Sequence, residues 1–283
     1  MIHAQEHGAR IVRIAIQGEP GSFSHEAALK LVAGAEIVPC ALSAEVFAKL
    51  DEGSADAVAI PIENSLAGSV LEHFDLLLKH EVKVTRETLL RIRHNLIATA
   101  EANIDEIERV YSHPVALAQC QRFLAEHPRM KAVAFYDTAG SVKQLVETGD
   151  PYAAAIASEQ ATRYYGAVIL ARGIEDNAEN YTRFLLVRRA REAESDPAAN
   201  KMSIAFSLVH KPGSLVAALS ALSTQGINLT KIESRPVHGK PWEYIFYVDC
   251  QIGSGEEGGR ALKALAAHCR MVKELGRYRA AET

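Results

Sequence analysis

Strand-like and helix-like segments alternate through the first two thirds of the chain. Residues 55–62 are apolar apart from Asp56, which is typical of a strand buried on both faces of a parallel sheet. The order favours right-handed βαβ units on mostly parallel sheets. The predicted elements are strand 11–16, helix 26–32, strand 36–40, helix 44–50, strand 55–62, helix 70–78, strand 109–112, helix 116–125, strand 132–137, helix 141–146, strand 153–157 and helix 159–164.

Two longer extended segments, at residues 82–99 and 181–188, interrupt this alternation. Two α/β lobes joined by two extended crossings would account for both of them. The pattern therefore predicts an α/β domain at residues 11–188 with the two-lobed clamshell arrangement of a binding cleft.

The last third of the chain follows a different pattern. Residues 189–201 are charged and alanine-rich with an Asp-Pro pair inside, which is typical of an interdomain linker. A strand at 202–209, a helix at 215–223, strands at 228–236 and 244–250, a helix at 259–268 and a strand at 272–275 are predicted after it. This βαββαβ order predicts a ferredoxin-like domain at residues 202–280.

Composition narrows the range of partners and locations. The 283 residues carry a formal net charge of −4, which argues against nucleic acid or an anionic membrane as the main partner. No run approaches the roughly 20 apolar residues that span a bilayer, and residues 1–10 form a polar tail without the apolar centre of a signal peptide. The four cysteines lie far apart without zinc-binding spacing, so the reducing cytoplasm is the expected location.

Five strand-to-helix turns carry small or polar residues, and ligands of open α/β sheets bind at such turns. Five helix N-termini around one cleft would bind carboxylates through free N–H groups and helix dipoles. A simple helix cap is the alternative for each turn, and both interpretations stay open. The residues concerned are Ser22 in 18–24, Asn64 and Ser65 in 61–68, Ser112 and His113 in 112–114, Thr138 and Ala139 in 137–141, and Ser158 in 157–158.

Arg183 interrupts the apolar extended segment that ends the first domain. A buried guanidinium is unfavourable without an anionic partner, so a carboxylate contact is expected. That carboxylate belongs either to a ligand or to a nearby acidic side chain, and the sequence leaves both alternatives open.

Six segments in order resemble the motif series of prephenate dehydratases, and two more resemble the phenylalanine-binding motifs of the ACT domain found in that family. The resemblance spans nearly the whole chain beyond residue 10, with departures at Val115, Ser141 and Ser214. Family members with a preceding chorismate mutase domain exist, but ten residues precede the first predicted strand, so we expect a monofunctional enzyme. The segments are GEPGSFS, PIENSLAG, YSHPVALAQC, FYDTAGS, AAIAS and NYTRF, then HKPGSL and KIESRP.

The resemblance implies a fold and a reaction. The expected fold is a clamshell of the periplasmic-binding-protein type II kind followed by the ferredoxin-like ACT domain. The expected reaction removes the ring hydroxyl and the ring carboxylate of prephenate to give phenylpyruvate, and it requires no metal or organic cofactor. Arogenate dehydratase and a non-catalytic amino-acid sensor are the alternatives.

The resemblance also assigns roles to residues. Thr182 would donate a hydrogen bond to the departing hydroxyl, and Arg183 would clamp a carboxylate. His113 is either a proton donor or a turn residue that orders the cleft wall. The other predicted catalytic positions are Ser112, Asn64 and Gln119, and the predicted substrate contacts are Ser22, Ser65, Thr138, Ala139, Ser158 and Phe184.

The ACT motifs imply a regulatory ligand. Phenylalanine would bind where two ACT domains pair side by side, which implies a homodimer or homotetramer. A plain strand-to-helix turn is the alternative for the first of the two motifs. The predicted contacts are Gly213, Ser214, Leu215, Asn228, Glu233, Ser234, Arg235 and Pro236.

Overall fold

The computed structural model of the chain describes residues 11–237, 239–253 and 256–282. The polar tail predicted for residues 1–10 lies outside these ranges. No helix within them has the length and apolar character needed to cross a membrane.

The first lobe is built on a mixed sheet with strand order β2-β1-β3-β11-β5, and β4 is paired to β3. Strands β1, β2 and β3 run parallel, as predicted, whereas β11 is antiparallel to both of its neighbours. The elements are β1 (Arg13–Gln17), α1 (Phe23–Leu31), β2 (Glu36–Cys40), α2 (Ser43–Asp51), β3 (Ala57–Asn64), β4 (Gly68–Ser69), α3 (Leu71–Lys79), β5 (Val82–Arg91) and, after the second lobe, β11 (Tyr181–Arg189).

The second lobe has its own sheet, with strand order β10-β6-β9-β7-β8. The predicted extended segment 82–99 is therefore two strands in two sheets, β5 in the first lobe and β6 in the second, and β11 returns the chain to the first lobe. These two crossings confirm the predicted clamshell. The elements are β6 (Asn95–Ala98), β7 (Arg109–Ser112), α4 (Pro114–Ala118), α5 (Gln121–Glu126), β8 (Lys131–Ala134), α6 (Thr138–Thr148), β9 (Ala153–Ala157), α7 (Glu159–Tyr165) and β10 (Val168–Ala171).

The helix predicted at 116–125 is wrong in one respect, because the structure divides it into α4 and α5. The carboxylate of Asp176 accepts hydrogen bonds from the backbone N–H groups of Gln121 and Arg122, both at 2.9 Å, and so caps a new helix. The Asp176 backbone N–H also donates to the Gln119 carbonyl at 2.7 Å. A distant side chain therefore imposes a break that local helical spacing does not reveal.

The C-terminal region has the predicted βαββαβ order, and its sheet has strand order β13-β14-β12-β15. Helices α8 and α9 cover one face of the sheet. The other face packs on the first lobe, and side chains of both regions, such as Phe74 and Tyr247, share one hydrophobic core. The elements are β12 (Lys201–Ser207), α8 (Ser214–Thr224), β13 (Asn228–Pro236), β14 (Tyr244–Gln251), α9 (Glu257–Ala266) and β15 (Met271–Tyr278).

The tightest approach between the two regions is at Gly276 in β15. A Cβ atom at this position would overlap the backbone carbonyl of Val84 in β5. Backbone cannot rotate away as a long side chain can, so only glycine allows the sheets to approach this closely.

We predict that Gly276→Ala lowers the free energy of unfolding by about 1–3 kcal/mol, the usual effect of overpacking. The matched control is Gly259→Ala in α9, where a Cβ meets no atom within 4 Å. That substitution should instead leave the stability unchanged or raise it by up to about 1 kcal/mol. Urea denaturation measures both, and equal stability of the two variants would contradict the packing described here.

Candidate active site

Thr182 and Asn64 lie side by side where the two crossings enter the first lobe. The antiparallel register pairs Thr182 of β11 with Asn64 of β3. The Asn64 side-chain NH₂ donates to the Thr182 hydroxyl oxygen at 2.9 Å and to the Asn180 side-chain oxygen at 2.7 Å. Because the Thr182 hydroxyl accepts this bond, its own hydrogen remains available for donation.

The orientation of the Asn64 amide is fixed by its oxygen. That oxygen accepts hydrogen bonds from the backbone N–H groups of Leu66 at 3.0 Å and Ala67 at 2.8 Å. These two bonds also shape the turn between β3 and β4. Asn64 therefore holds the turn with one end of its amide and Thr182 with the other.

A chain of hydrogen bonds continues from Asn180 into the second lobe. The Asn180 NH₂ donates to the Gln119 side-chain oxygen at 3.0 Å, and His94 Nε2 lies 2.9 Å from the same oxygen. Since that oxygen can only accept, Nε2 must carry the hydrogen. Residues Thr182, Asn64, Asn180, Gln119 and His94 form this lobe-bridging network.

His94 is held neutral by its surroundings. It is buried, and burial lowers the pKa of its imidazole, because the hydrogen bond to Gln119 and the charge of Glu175 only partly oppose the loss of solvent. The Phe23 ring packs edge-on against it at 5.6 Å between centroids. A neutral imidazole with hydrogen on Nε2 is the state that the network requires.

Several predicted substrate contacts are helix caps at the edge where the lobes meet. The Ser22 hydroxyl caps α1, and the Ser158 hydroxyl caps α7 and donates to the carbonyl of Gly21 at 3.0 Å. Gly21 has φ +89°, and a Cβ there would lie 2.8 Å from the Ala161 Cα. The lobes are therefore in contact at this edge, and only glycine fits.

The remaining turn residues near the network are also engaged. The Ser65 hydroxyl donates to the Glu179 carbonyl at 3.1 Å and accepts from the Tyr181 N–H at 3.0 Å. His113 is exposed, and its Nδ1 caps α4 by accepting from the Val115 N–H. Thr138 is the half-buried first residue of α6. The capping contact supports the turn role of His113, and its role as an acid stays a prediction.

Three predicted positions have buried side chains that are engaged within the protein, and their roles at the site stay predictions. Ser112 is fully buried and donates to the Ile156 carbonyl at 2.6 Å, which ties β7 to β9. Ala139 is also fully buried. Phe184 belongs to the core beneath α1.

Arg183 forms salt bridges with acidic side chains of the protein, which was one of its two predicted alternatives, and the clamp on a ligand carboxylate stays a prediction. Its Nη1 lies 2.9 Å from a Glu63 oxygen and 2.5 Å from an Asp249 oxygen, and its Nε lies 2.6 Å from a Glu87 oxygen. Successive residues of a strand face opposite sides of the sheet. Arg183 therefore faces the ACT region while Thr182 faces the network.

Two members of the network were missing from the predicted site. Asn180 lies in the NYTRF segment, two residues before Thr182, and this proximity in the sequence could have indicated its place in the site. His94 lies inside the extended segment 82–99, where an Arg-His-Asn run interrupts the apolar residues at the crossing. Its partner Gln119 is in the other lobe, which no local pattern indicates.

The predicted phenylalanine contacts divide between two surfaces. Gly213, with φ +82°, precedes α8, which begins with Ser214 and Leu215 and has no side-chain cap. On β13, Ser234 and Pro236 are exposed, as is Asn228, which bonds to Gln251. The side chains of Glu233 and Arg235 instead contact Ser69 and Asp75 of the first lobe, and their contact with phenylalanine stays a prediction.

The fold and the network are those of an enzyme with a cleft between two lobes. This enzyme is joined to a regulatory domain of a type that binds amino acids. The family model for prephenate dehydratase matches residues 14–192, and the model for the ACT domain matches residues 202–267. The chain belongs to the prephenate dehydratase family.

Three proteins that are similar to this chain carry different functional names. An Arabidopsis thaliana protein named arogenate dehydratase/prephenate dehydratase 2 is 39% identical over 96% of this chain and 74% of its own length. The structure of an Arthrobacter aurescens prephenate dehydratase in complex with L-Phe has a TM-score of 0.87 and 30% identity, and covers 95% of this chain and 90% of that one. The structure of GqqA, described as a novel type of quorum quenching acylase, has a TM-score of 0.87 and 31% identity, covering 95% and 98%.

We predict that His94→Gln weakens the dependence of stability on pH. The folded-state pKa of His94 lies below its unfolded value of about 6.5, so stability is constant above that pH and falls as the pH drops below it. Each such histidine contributes up to about 1.4 kcal/mol per pH unit to the fall. Urea unfolding at pH 8, 7, 6 and 5 should show a shallower loss in the variant below pH 7, and parallel curves above it. Equal losses from pH 7 to 5 would contradict a neutral His94.

Proposed function

We propose that this chain converts prephenate to phenylpyruvate, water and carbon dioxide. The observation that carries the proposal is the Thr182 hydroxyl, which accepts a hydrogen bond from Asn64 at 2.9 Å and so keeps its own hydrogen for a substrate. Thr182 is only 8% exposed, so the bond that it donates would form away from bulk water.

The chemistry needs little more than placement and charge stabilisation. The ring C–O bond and the bond to the ring carboxylate break, the electron pair of the second bond completes the aromatic ring, and carbon dioxide leaves. The departing oxygen takes up a proton to become water. A threonine hydroxyl is too weak an acid to supply this proton outright, so Thr182 acts as a hydrogen-bond donor to the developing negative charge.

A cavity of about 650 Å³ between the lobes supports a dianionic substrate. It borders the network, since Leu90 in its wall pairs with Thr182 in the sheet and Phe23 contacts the His94 ring. The wall carries four cations and three carboxylates, and one of those carboxylates, Glu159, pairs with Arg172 at 3.0 Å. The small excess of positive charge favours an anionic ligand over a cationic one. The cations are Lys30, Arg91, Arg93 and Arg172, and the carboxylates are Glu26, Glu159 and Glu175.

The decisive experiment measures phenylpyruvate formation from prephenate and phenylalanine formation from arogenate, each with and without added phenylalanine. We expect turnover of prephenate that falls as phenylalanine is added. Preference for arogenate would select the alternative dehydratase, a name that the Arabidopsis relative also carries. A folded chain that binds phenylalanine without converting either compound would contradict the proposal and favour a sensor.

The same assay tests the role of Thr182. Thr182→Ala should lower kcat by about 10²-fold or more, the usual effect of losing one donor to developing charge. Thr182→Ser is the matched control, because it keeps the hydroxyl and should retain most of the activity. Near wild-type kcat in a folded Thr182→Ala variant would overturn the assigned role.

An acylase activity, as described for GqqA, is not favoured by any observation in this chain. Among the described residues, the hydrogen bond between a serine hydroxyl and a histidine ring is that of Ser43 and His73, at 3.0 Å. Both residues are buried, and the pair joins α2 to α3. Hydrolysis of an N-acyl amide is a useful parallel assay, and we expect none.

We also infer that phenylalanine binds the ACT domain and inhibits the enzyme. The matching ACT model and the Arthrobacter structure with bound L-Phe support this, together with the uncapped start of α8 beside the exposed face of β13. Strand β13 is at the edge of its sheet and is suited to pairing with a second copy, as a homodimer or homotetramer requires. Four free cysteines fit the proposed cytoplasmic location.

A further inference from the structure

Arg183 is buried at the interface between the catalytic and ACT domains. Its side chain is 6% exposed, and its guanidinium contacts Glu63 and Glu87 of the catalytic domain. It also contacts Asp249 and the Tyr278 hydroxyl of the ACT domain, at 2.5 and 3.0 Å. Within the described residues, its guanidinium makes no hydrogen bond to the lobe-bridging network, although Arg183 directly follows Thr182 in the chain.

Two lysines of the ACT domain complete the charge balance around Arg183. Lys201 Nζ lies 2.9 Å from a Glu87 oxygen, and Lys231 Nζ lies 2.6 Å from a Glu63 oxygen. Three cations thus face Glu63, Glu87 and Asp249, and Glu233 lies 4.0 Å from Lys231 as a fourth carboxylate. Burial alone would raise the pKa of Glu63, but the hydrogen bonds from Lys231 and Arg183 outweigh it and lower that pKa. We call Arg183, Lys201, Lys231, Glu63, Glu87 and Asp249 the interdomain charge layer.

The interdomain charge layer and the lobe-bridging network each have residues on β3 and β11, and these residues are adjacent. Arg183 follows Thr182 in β11, and Glu63 precedes Asn64 in β3. The pairing of these strands is irregular at this point, since Phe184 pairs with Pro61 directly after Arg183 pairs with Glu63. Such bulges redirect side chains next to functional sites. A shift of the Arg183–Glu63 pair therefore moves the backbone that carries Thr182 and Asn64.

The charge layer also reaches the strand on which we place the phenylalanine site. Lys231 and Glu233 both contact the Ser69 hydroxyl, at 3.0 and 2.6 Å, and Ser69 is in the short strand that closes the Asn64 turn. Side chains of β13 alternate between the two surfaces. Lys231, Glu233 and Arg235 contact the catalytic domain. Ser234 and Pro236 are exposed.

From this geometry we propose that Arg183 is a positioning residue, which transmits the state of the ACT domain to Thr182. The proposal rests on the proposed function, because it assumes that phenylalanine binds the exposed face of β13. Displacement of β13 moves Lys231, Lys231 moves Glu63, and the Arg183–Glu63 pair then shifts the Asn64–Thr182 hydrogen bond. Bound phenylalanine thereby inhibits by displacing the Thr182 hydroxyl, which lowers kcat more than it changes KM.

The test weakens the charge layer without touching the network or the proposed phenylalanine contacts. Lys231→Gln removes one cation, and Tyr278→Phe removes one acceptor of Arg183. Both leave Arg183 with its carboxylate partners, so the buried guanidinium itself is never unpaired. The matched control is Lys273→Gln, since Lys273 also crosses the interface but donates to the carbonyls of Leu78 and His80 at the end of α3.

We expect both layer variants to bind phenylalanine within about threefold of wild type by calorimetry, yet to need at least about tenfold more of it for half-inhibition. The control should lose stability and keep wild-type inhibition. Layer variants with wild-type inhibition, or a control that loses it equally, would overturn the proposal. A phenylalanine effect on KM alone would do so too.

A second readout separates this proposal from the assigned reaction. Phenylalanine should change the amide hydrogen exchange of residues 61–70 and 180–184 in the wild type and the control, and much less in the layer variants. A wild type that shows this change but does not turn over prephenate would overturn the proposed function and leave the coupling intact. Bound phenylalanine without any exchange change in these segments would overturn the coupling.

Discussion

The structure depends on one buried guanidinium. Arg183 lies in the last crossing strand of the catalytic domain, where solvent cannot stabilise its charge. Removing a charge from water is so unfavourable that every donor must find a partner. The partners come from β3, β5 and the ACT sheet, so satisfying this one side chain fixes how the two domains pack. The shared hydrophobic core and the close approach at Gly276 follow from that packing.

The opposite face of the same strands carries the proposed catalytic residues. Thr182, Asn64, Asn180, Gln119 and His94 are neutral groups whose hydrogen bonds determine the direction of each donor. Because the network is neutral, the electrostatic field of the site comes from the substrate and from the cations around the cleft. Strand alternation therefore separates two roles. The charged face of the strands contacts the ACT domain, and the neutral face positions the Thr182 hydroxyl.

Much of this fold was predictable from local patterns. The alternation of elements gave two lobes and a βαββαβ domain, because hydrophobic periodicity reports which faces are buried. Strand pairing is not local, however. Asn64 and Thr182 are in contact although they lie 118 residues apart in the sequence. Asp176, whose side chain divides the predicted helix 116–125, is 55 residues away from Gln121. Strand alternation alone places Thr182 on one face of the sheet and Arg183 on the other. The sequence therefore already indicates a different environment for Arg183. Its three carboxylate partners were not predictable.

The most direct test of this account is calorimetric unfolding of the intact wild-type chain. A buried charge layer shared by two domains makes them one cooperative unit, although separate domains usually unfold separately. We expect a single transition whose calorimetric enthalpy equals its van't Hoff enthalpy. Two resolved transitions, with the ACT domain unfolding first, would contradict the claim that Arg183 joins the domains.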